Sequence, residues 1–161
     1  MKNVVLRAAM CLILAGVVLP SMTGCETFHD RWKAAANQFN PATNKAGRPT
    51  MTGRWSGTWE STMEEDKSHG TVRAIIQADP EQEGVYHAEF QAIYASVLWG
   101  EYIIPFETTY KDGKLYLTSE ADLGWLGGGV YKYDGIVDRR FFWLNYDAKT
   151  HKGRMVLERI D

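Results

Sequence analysis

The chain has 161 residues, room for one domain with its own core, and 45% of them are hydrophobic, which excludes a disordered polypeptide. The formal net charge is −2; the first 24 residues carry Lys2 and Arg7 and no acid, so residues 25–161 hold 16 basic against 20 acidic side chains. That acidity excludes a nucleic-acid partner, which needs a basic face to neutralise phosphates.

The chain opens like an export signal: Lys2 and Arg7, an apolar run from Ala8 to Leu19, then the small-residue stretch Ser21-Met22-Thr23-Gly24-Cys25. The run is shorter than the roughly 20 apolar residues that span a bilayer. Met22-Thr23-Gly24-Cys25 resembles the lipobox of bacterial lipoproteins, with Met22 where Leu is usual. The resemblance implies a signal peptide over 1–24, lipid attachment at Cys25, and anchoring in the membrane by acyl chains, each buried CH₂ contributing about 0.8 kcal/mol. Glu26, in place of the Asp that retains such proteins at the inner membrane, implies the outer membrane of the cell envelope, the domain facing the periplasm or the cell surface. Cys11 leaves with the signal and Cys25 carries the lipid, so the domain has no thiol for a disulfide.

Residues 25–50 read as a tether. Phe28, Trp32, Ala35 or Ala36, and Phe39 recur at helical spacing opposite Arg31, Lys33 and Asn37, which predicts a short amphipathic helix over 28–39 ended by Asn40-Pro41. Two placements fit: on the membrane with Trp32 at the headgroups, or packed across one end of the domain. The stretch Asn40 to Thr50 has no apolar period and reads as a flexible linker.

From Met51 the pattern becomes period two with turn residues every ten or so positions. Eight segments result: 52–61, 70–78, 85–95, 98–110, 114–121, 130–137, 141–147 and 153–160. Their short connections favour neighbouring hairpins, so the expected fold is all-β, an antiparallel up-and-down barrel of about eight strands over 51–161, with a two-sheet sandwich as competitor. Alternation places Tyr86, Ala88, Phe90, Ala92 and Tyr94 on one face of the third segment, and Tyr102, Ile104, Phe106, Thr108 and Tyr110 on one face of the fourth. Leu115, Leu117, Ser119 and Ala121 share a face, as do Tyr131 and Tyr133. The segment Phe141 to Tyr146 is apolar on both faces; Phe142, Leu144 and Tyr146 are expected to touch something outside the barrel, such as the tether helix, a second copy or the membrane, and Trp143 to face the interior.

The first strand carries Gly53-Arg54-Trp55, with Trp59 two side-chain steps further on the same face and Gly57 leaving space between them. This resembles the lipocalin and fatty-acid-binding superfamily, the calycin type of β-barrel, where G-x-W opens the first strand and an arginine from the last strand packs over the indole. The resemblance implies that Trp55 closes the barrel under Arg159, or under Arg154. The T-D-Y signature and the C-terminal helix of that superfamily are missing.

Little in the chain points to chemistry. The glycines Gly127 to Gly129 precede an alternating strand rather than a helix, so they read as a mouth loop with Trp125 at its tip and not as a phosphate cradle. His29, His69, His87 and His151 lack metal-ligand spacing, so no metal and no cofactor is expected. Glu120 and Asp122 flank a turn; they read as turn residues, with a hydrolase-like carboxylate pair as the alternative. The sequence therefore predicts a membrane-anchored binding module, not an enzyme. Its small apolar or amphipathic ligand would lie between Trp59, Phe90, Tyr94, Tyr102, Phe106, Tyr131, Tyr133 and Trp143. The rival is a structural or protein-interaction module with a filled barrel, working through the 140–146 strand or the Trp125 loop.

Overall fold

A computed structural model describes residues 26–38, 41–94, 98–125 and 129–160, with Tyr94, Leu98 and Trp99 described by their backbone alone. The predicted signal peptide, Cys25, Phe39, Leu126 and the side chain of Tyr94 lie outside the described residues. After one helix, α1 (Phe28–Ala35), come eight strands: β1 (Gly53–Ser61), β2 (His69–Ala78), β3 (Val85–Tyr94), β4 (Leu98–Lys111), β5 (Lys114–Asp122), β6 (Val130–Val137), β7 (Phe141–Ala148) and β8 (Lys152–Arg159). Each predicted segment is found, its ends displaced by one residue at most. Every strand pairs antiparallel with the next and β1 also pairs with β8, so the sheet is a closed up-and-down barrel and not a sandwich. Closure leaves no strand edge to template association.

Local chemistry sets the turns. Asp112 and Gly113 both have positive φ, 51° and 81°, the two-residue connection whose twist matches paired strands. Asp79, Asp122 and Asp138 each accept backbone N–H groups of the turn they begin, at 2.7–2.9 Å. The direction of the strands defines two ends. The closed end carries the chain entering β1 and the turns β2–β3, β4–β5 and β6–β7; the open end carries β1–β2, β3–β4, β5–β6 and β7–β8.

Two expectations about the tether are corrected. Helix α1 lies neither free for a membrane nor across a barrel end, but against the outer wall: Phe28, Trp32 and Ala35 pack on Ile75 of β2. Trp32 sits between the guanidinium groups of Arg54 and Arg73, at 5.1 and 5.6 Å, and Arg31 pairs with Glu89 of β3 and reaches Glu101 of β4 at 3.6 Å. Ile75 is the reason, an outward apolar residue that the wall must cover. The segment 41–51 is likewise a folded cap rather than a flexible linker. Asn44 accepts the Ala46 and Arg48 N–H groups, Thr50 N–H donates to Ala42 O, and Pro49 and Met51 are buried. Aperiodic sequence signalled turns held by side chain to backbone bonds, not freedom.

The third correction concerns β7. Phe142, Leu144 and Tyr146 are buried in the core, and Trp143 faces outward, 39% exposed. Both predicted faces were exchanged. A strand apolar on both sides carries no phase of its own, and a shift of one residue turns every side chain over. Pairing supplies the phase, with Phe142 opposite Val137 on one side and Leu157 on the other.

Candidate functional site

The closed end is sealed by the residues that carried the superfamily resemblance. Arg159 lies 4.3 Å from the centre of the Trp55 ring and donates to the carbonyls of Thr50, Thr52 and Arg139, while Trp55 Nε1–H donates to Met51 O at 2.8 Å. Arg154, the other candidate, pairs with Glu60 on the outside. Gly57 between the tryptophans is required for a reason the sequence left open: an added Cβ would lie 1.9 Å from Val156 O and 2.7 Å from Leu157 Cα, because β8 crosses close at that point.

From this seal a column of rings runs toward the open end. Trp55 meets Phe142 at 5.9 Å, Phe142 meets Phe106 at 6.1 Å, Phe106 meets Tyr133 at 6.0 Å and Tyr133 meets Tyr131 at 5.9 Å. His151 stacks on Tyr131 at 6.4 Å and ends the column at the mouth. Phe90 joins from the side, touching Phe106 and Phe142, with Tyr102 stacked on it at 5.4 Å. The structure thus brings together Phe90, Tyr102, Phe106, Tyr131 and Tyr133, as predicted, but against each other. A chamber with room for a ligand also has room for water, so its lining would stay reachable by a water-sized sphere even when sealed. Phe90, Ala92, Ile104, Phe106 and Phe142 show no such surface.

Nearer the mouth, two rings lie along the wall. Trp59 crosses its partner Gly70 to donate from Nε1 to Ile93 O at 3.1 Å, and Tyr146 crosses Gly153 so that its hydroxyl donates to Glu60 O at 3.3 Å. A Cβ at Gly70 would meet Trp59 Nε1 at 2.6 Å, and one at Gly153 the Tyr146 hydroxyl at 2.1 Å. Tyr102 is the one predicted wall residue left half-buried among those whose side chains are described.

The outer wall is polar, with at least one charged side chain facing out from every strand, Arg73 of β2 and Glu89 of β3 doing so beside α1, and so it does not have the apolar exterior of a membrane-spanning barrel. Across it runs one uncharged row. Thr109 of β4 opposes Tyr116 of β5, then Ile136 of β6, Trp143 of β7, Val156 of β8 and Thr58 of β1. Tyr116, Trp143 and Val156 are exposed, and Phe141 packs beside Trp143 at 5.4 Å. Sequence reasoning named the 140–146 strand as a working surface but missed the row that crosses it. Its signal was one outward residue of the wrong polarity per strand, visible only once the register placed Tyr116, Ile136, Trp143 and Val156 in one row.

The remaining candidates are accounted for by structure. Glu120 and Asp122 face outward, Asp122 accepting the Gly124 N–H at 2.8 Å as a turn residue does. No group of three or more His, Cys, Asp or Glu side chains gathers for a metal among the described residues. A surface cleft of about 470 Å³ lies at the β2–β3 turn, where Asp79, Glu81 and Glu83 share its lining with Pro80, Val85 and Tyr86. Asp79 there is held below its ordinary value by its hydrogen bond to His87 and by the Glu81 and Gln82 amides, and burial pushes the Tyr86 hydroxyl up. No known protein family matches the chain, nor does any curated protein or solved structure.

Proposed function

We propose that the protein is a lipid-anchored module of the bacterial cell envelope whose barrel is a solid scaffold and whose working surface is the outer belt centred on Trp143. The observation that carries this reading is the aromatic column: among the described residues, inward rings pack on one another from Trp55 to Tyr131, while an exposed tryptophan stands outside among uncharged neighbours. A large aromatic ringed by polar groups is the anatomy of a binding hot spot. The anchoring half rests on the Met22-Thr23-Gly24-Cys25 resemblance. It is tested by Cys25→Ser, which should move the protein from the membrane to the soluble fraction; retention on the membrane would refute the anchor. The surface is tested in cells with a photo-crosslinking side chain, Trp143→benzoylphenylalanine. Adducts at position 143 and none at Lys132, on the same wall, support it, and the absence of any adduct at 143 refutes it.

Carriage of a small ligand is the second reading, favoured by one observation: Tyr102 faces the lumen near the mouth and is half-buried. Such a ligand would have to be uncharged where it is buried. Arg159 is the one cation on the inward face of the described strands, and it is engaged at the closed end. Mass spectrometry of lipids co-purifying with the protein, in stoichiometric amount and lost in Tyr102→Trp, would establish it.

A further inference from the structure

A row of outward residues crosses the wall on which α1 lies. Arg54 of β1 opposes Ile75 of β2, Ile75 opposes Glu89 of β3, and Glu89 opposes Ile103 of β4. The helix covers the first three: Trp32 packs over Arg54, Phe28 and Ala35 bury Ile75, and Arg31 holds Glu89. It stops short of the fourth. Ile103 is 39% exposed, with Ile93 and Pro105 partly exposed on the same wall.

The chain enters the fold at this place. The first turn of α1 is fixed by a capping box, in which Thr27 Oγ1 accepts the Asp30 N–H at 3.3 Å and the Thr27 N–H donates to Asp30 Oδ2 at 3.1 Å. Arg31 Nε donates to Glu89 at 3.0 Å, its guanidinium lies 3.6 Å from Glu101, and the same group donates to the Glu26 carbonyl. One side chain thus ties residue 26 to the two carboxylates that border Ile103. Glu26 therefore lies on the β3–β4 flank of α1, away from the β1–β2 flank where Trp32 sits. A single peptide unit, about 3.8 Å between Cα atoms, separates it from Cys25.

We infer that the β3–β4 wall around Ile103 rests on the lipid surface, held there by α1 acting as a bracket. The inference depends on the anchoring half of the reading above and adds an orientation to it. A lipid fastened at Cys25 has only Glu26 and Thr27 between it and a docked helix, and two extended residues reach about 7 Å. The bilayer surface accordingly lies beside the wall that holds Glu26. Toward it the wall offers Ile103, Ile93 and Pro105, while Arg31 sets a cation against the bordering Glu89 and Glu101. So few apolar side chains bind a membrane weakly by themselves; the acyl anchor supplies the confinement that keeps them there, as a linker does for tethered partners. In the closed order of eight strands β7 stands four strands from β3 in either direction, so the same docking turns Trp143 away from the membrane and toward water.

The test uses the full-length protein extracted from its own membrane and reconstituted in vesicles of phosphatidylethanolamine and phosphatidylglycerol. A nitrobenzoxadiazole label is placed on Ile103→Cys or on Trp143→Cys, with the unaltered chain as control for labelling at Cys25. A phospholipid carrying a nitroxide on its acyl chain should quench the label at 103 several-fold more than the label at 143, and iodide in the water should show the reverse order. Phe28→Ser combined with Arg31→Ala releases α1 and should remove most of that difference, while the protein still floats with the vesicles and circular dichroism shows the barrel folded. Equal quenching at the two positions, stronger lipid quenching at 143, or a difference that survives release of α1 overturns the inference. A label at 103 that is shielded from iodide yet untouched by the nitroxide lipid means that protein covers this wall, and overturns it as well. Flotation separates the two readings: if the protein floats and quenching is equal, the orientation is wrong and the anchor stands; if it does not float, both fall.

Discussion

Inside and outside the barrel, aromatic residues do opposite work, and the two regions meet on β7, where Phe142 belongs to the column and its neighbour Trp143 to the belt. By residue type they are equivalent. What separates them is the pairing on either side: Phe142 lies between Val137 and Leu157 in the core, whereas Trp143 lies between Ile136 and Val156 on the wall. Hydrophobicity thus locates a strand in the fold, but only its neighbours decide whether a ring joins the core or stands on the outer wall.

The comparison breaks most readily at the column. Trp55→Ala removes a fully buried indole together with its partners Phe142 and Arg159 and should cost about 3–5 kcal/mol in a denaturant titration. Phe142→Ala should cost a similar amount, about 3–5 kcal/mol, while Trp143→Thr should stay within about 1 kcal/mol. The reverse order would restore the exchanged faces read from the sequence and remove the belt. Gly57→Ala forces a methyl toward the β8 backbone, which has no soft side chain to yield, and should cost about 1–3 kcal/mol or more by the same titration.

Much of this architecture was legible without coordinates. Alternation in β3, β4, β5 and β6 gave the buried residues Ala88, Phe90, Ala92, Ile104, Phe106, Leu115, Leu117, Ala121, Tyr131 and Tyr133, though Tyr110 at the end of β4 is exposed, and Gly53-Arg54-Trp55 with Arg159 gave the seal at the closed end. Three things were not legible, each for a physical reason. The phase of β7 was hidden because both of its faces are apolar. The folded cap over 41–51 was hidden because turns held by Asn44 and Thr50 have no periodicity. The packing of the inward rings on one another was hidden because alternation says which residues face inward, not how their volumes add; Phe90, Phe106 and Tyr133 read equally well as the wall of a chamber or as its contents.

Smaller effects sharpen the contrast between the covered wall and the bare one. Trp32→Ala removes the ring held between Arg54 and Arg73, and amide exchange across α1 should accelerate while the barrel strands stay protected. Equal acceleration in β2 and β3 would mean that the helix is integral to the barrel. The smallest expected effect is the pH response of the β2–β3 turn. The folded value of Asp79 is lowered, so its contribution to stability is complete above the ordinary carboxylate range and disappears as pH falls through that lowered value. In Asp79→Asn the denaturant midpoint should lose that part of its acid dependence; an unchanged acid limb would show that the His87 contact does not stabilise the fold.

The central claim is that the barrel has nothing to carry and works from its outer wall. A fluorescent apolar naphthylamine dye titrated into the full-length protein, and into its Trp143→Thr variant, tests it most directly. Any saturable signal should vanish with the tryptophan and resist displacement by a long-chain alcohol. Saturable binding that persists in Trp143→Thr and is displaced by the alcohol would place a ligand inside and contradict the account.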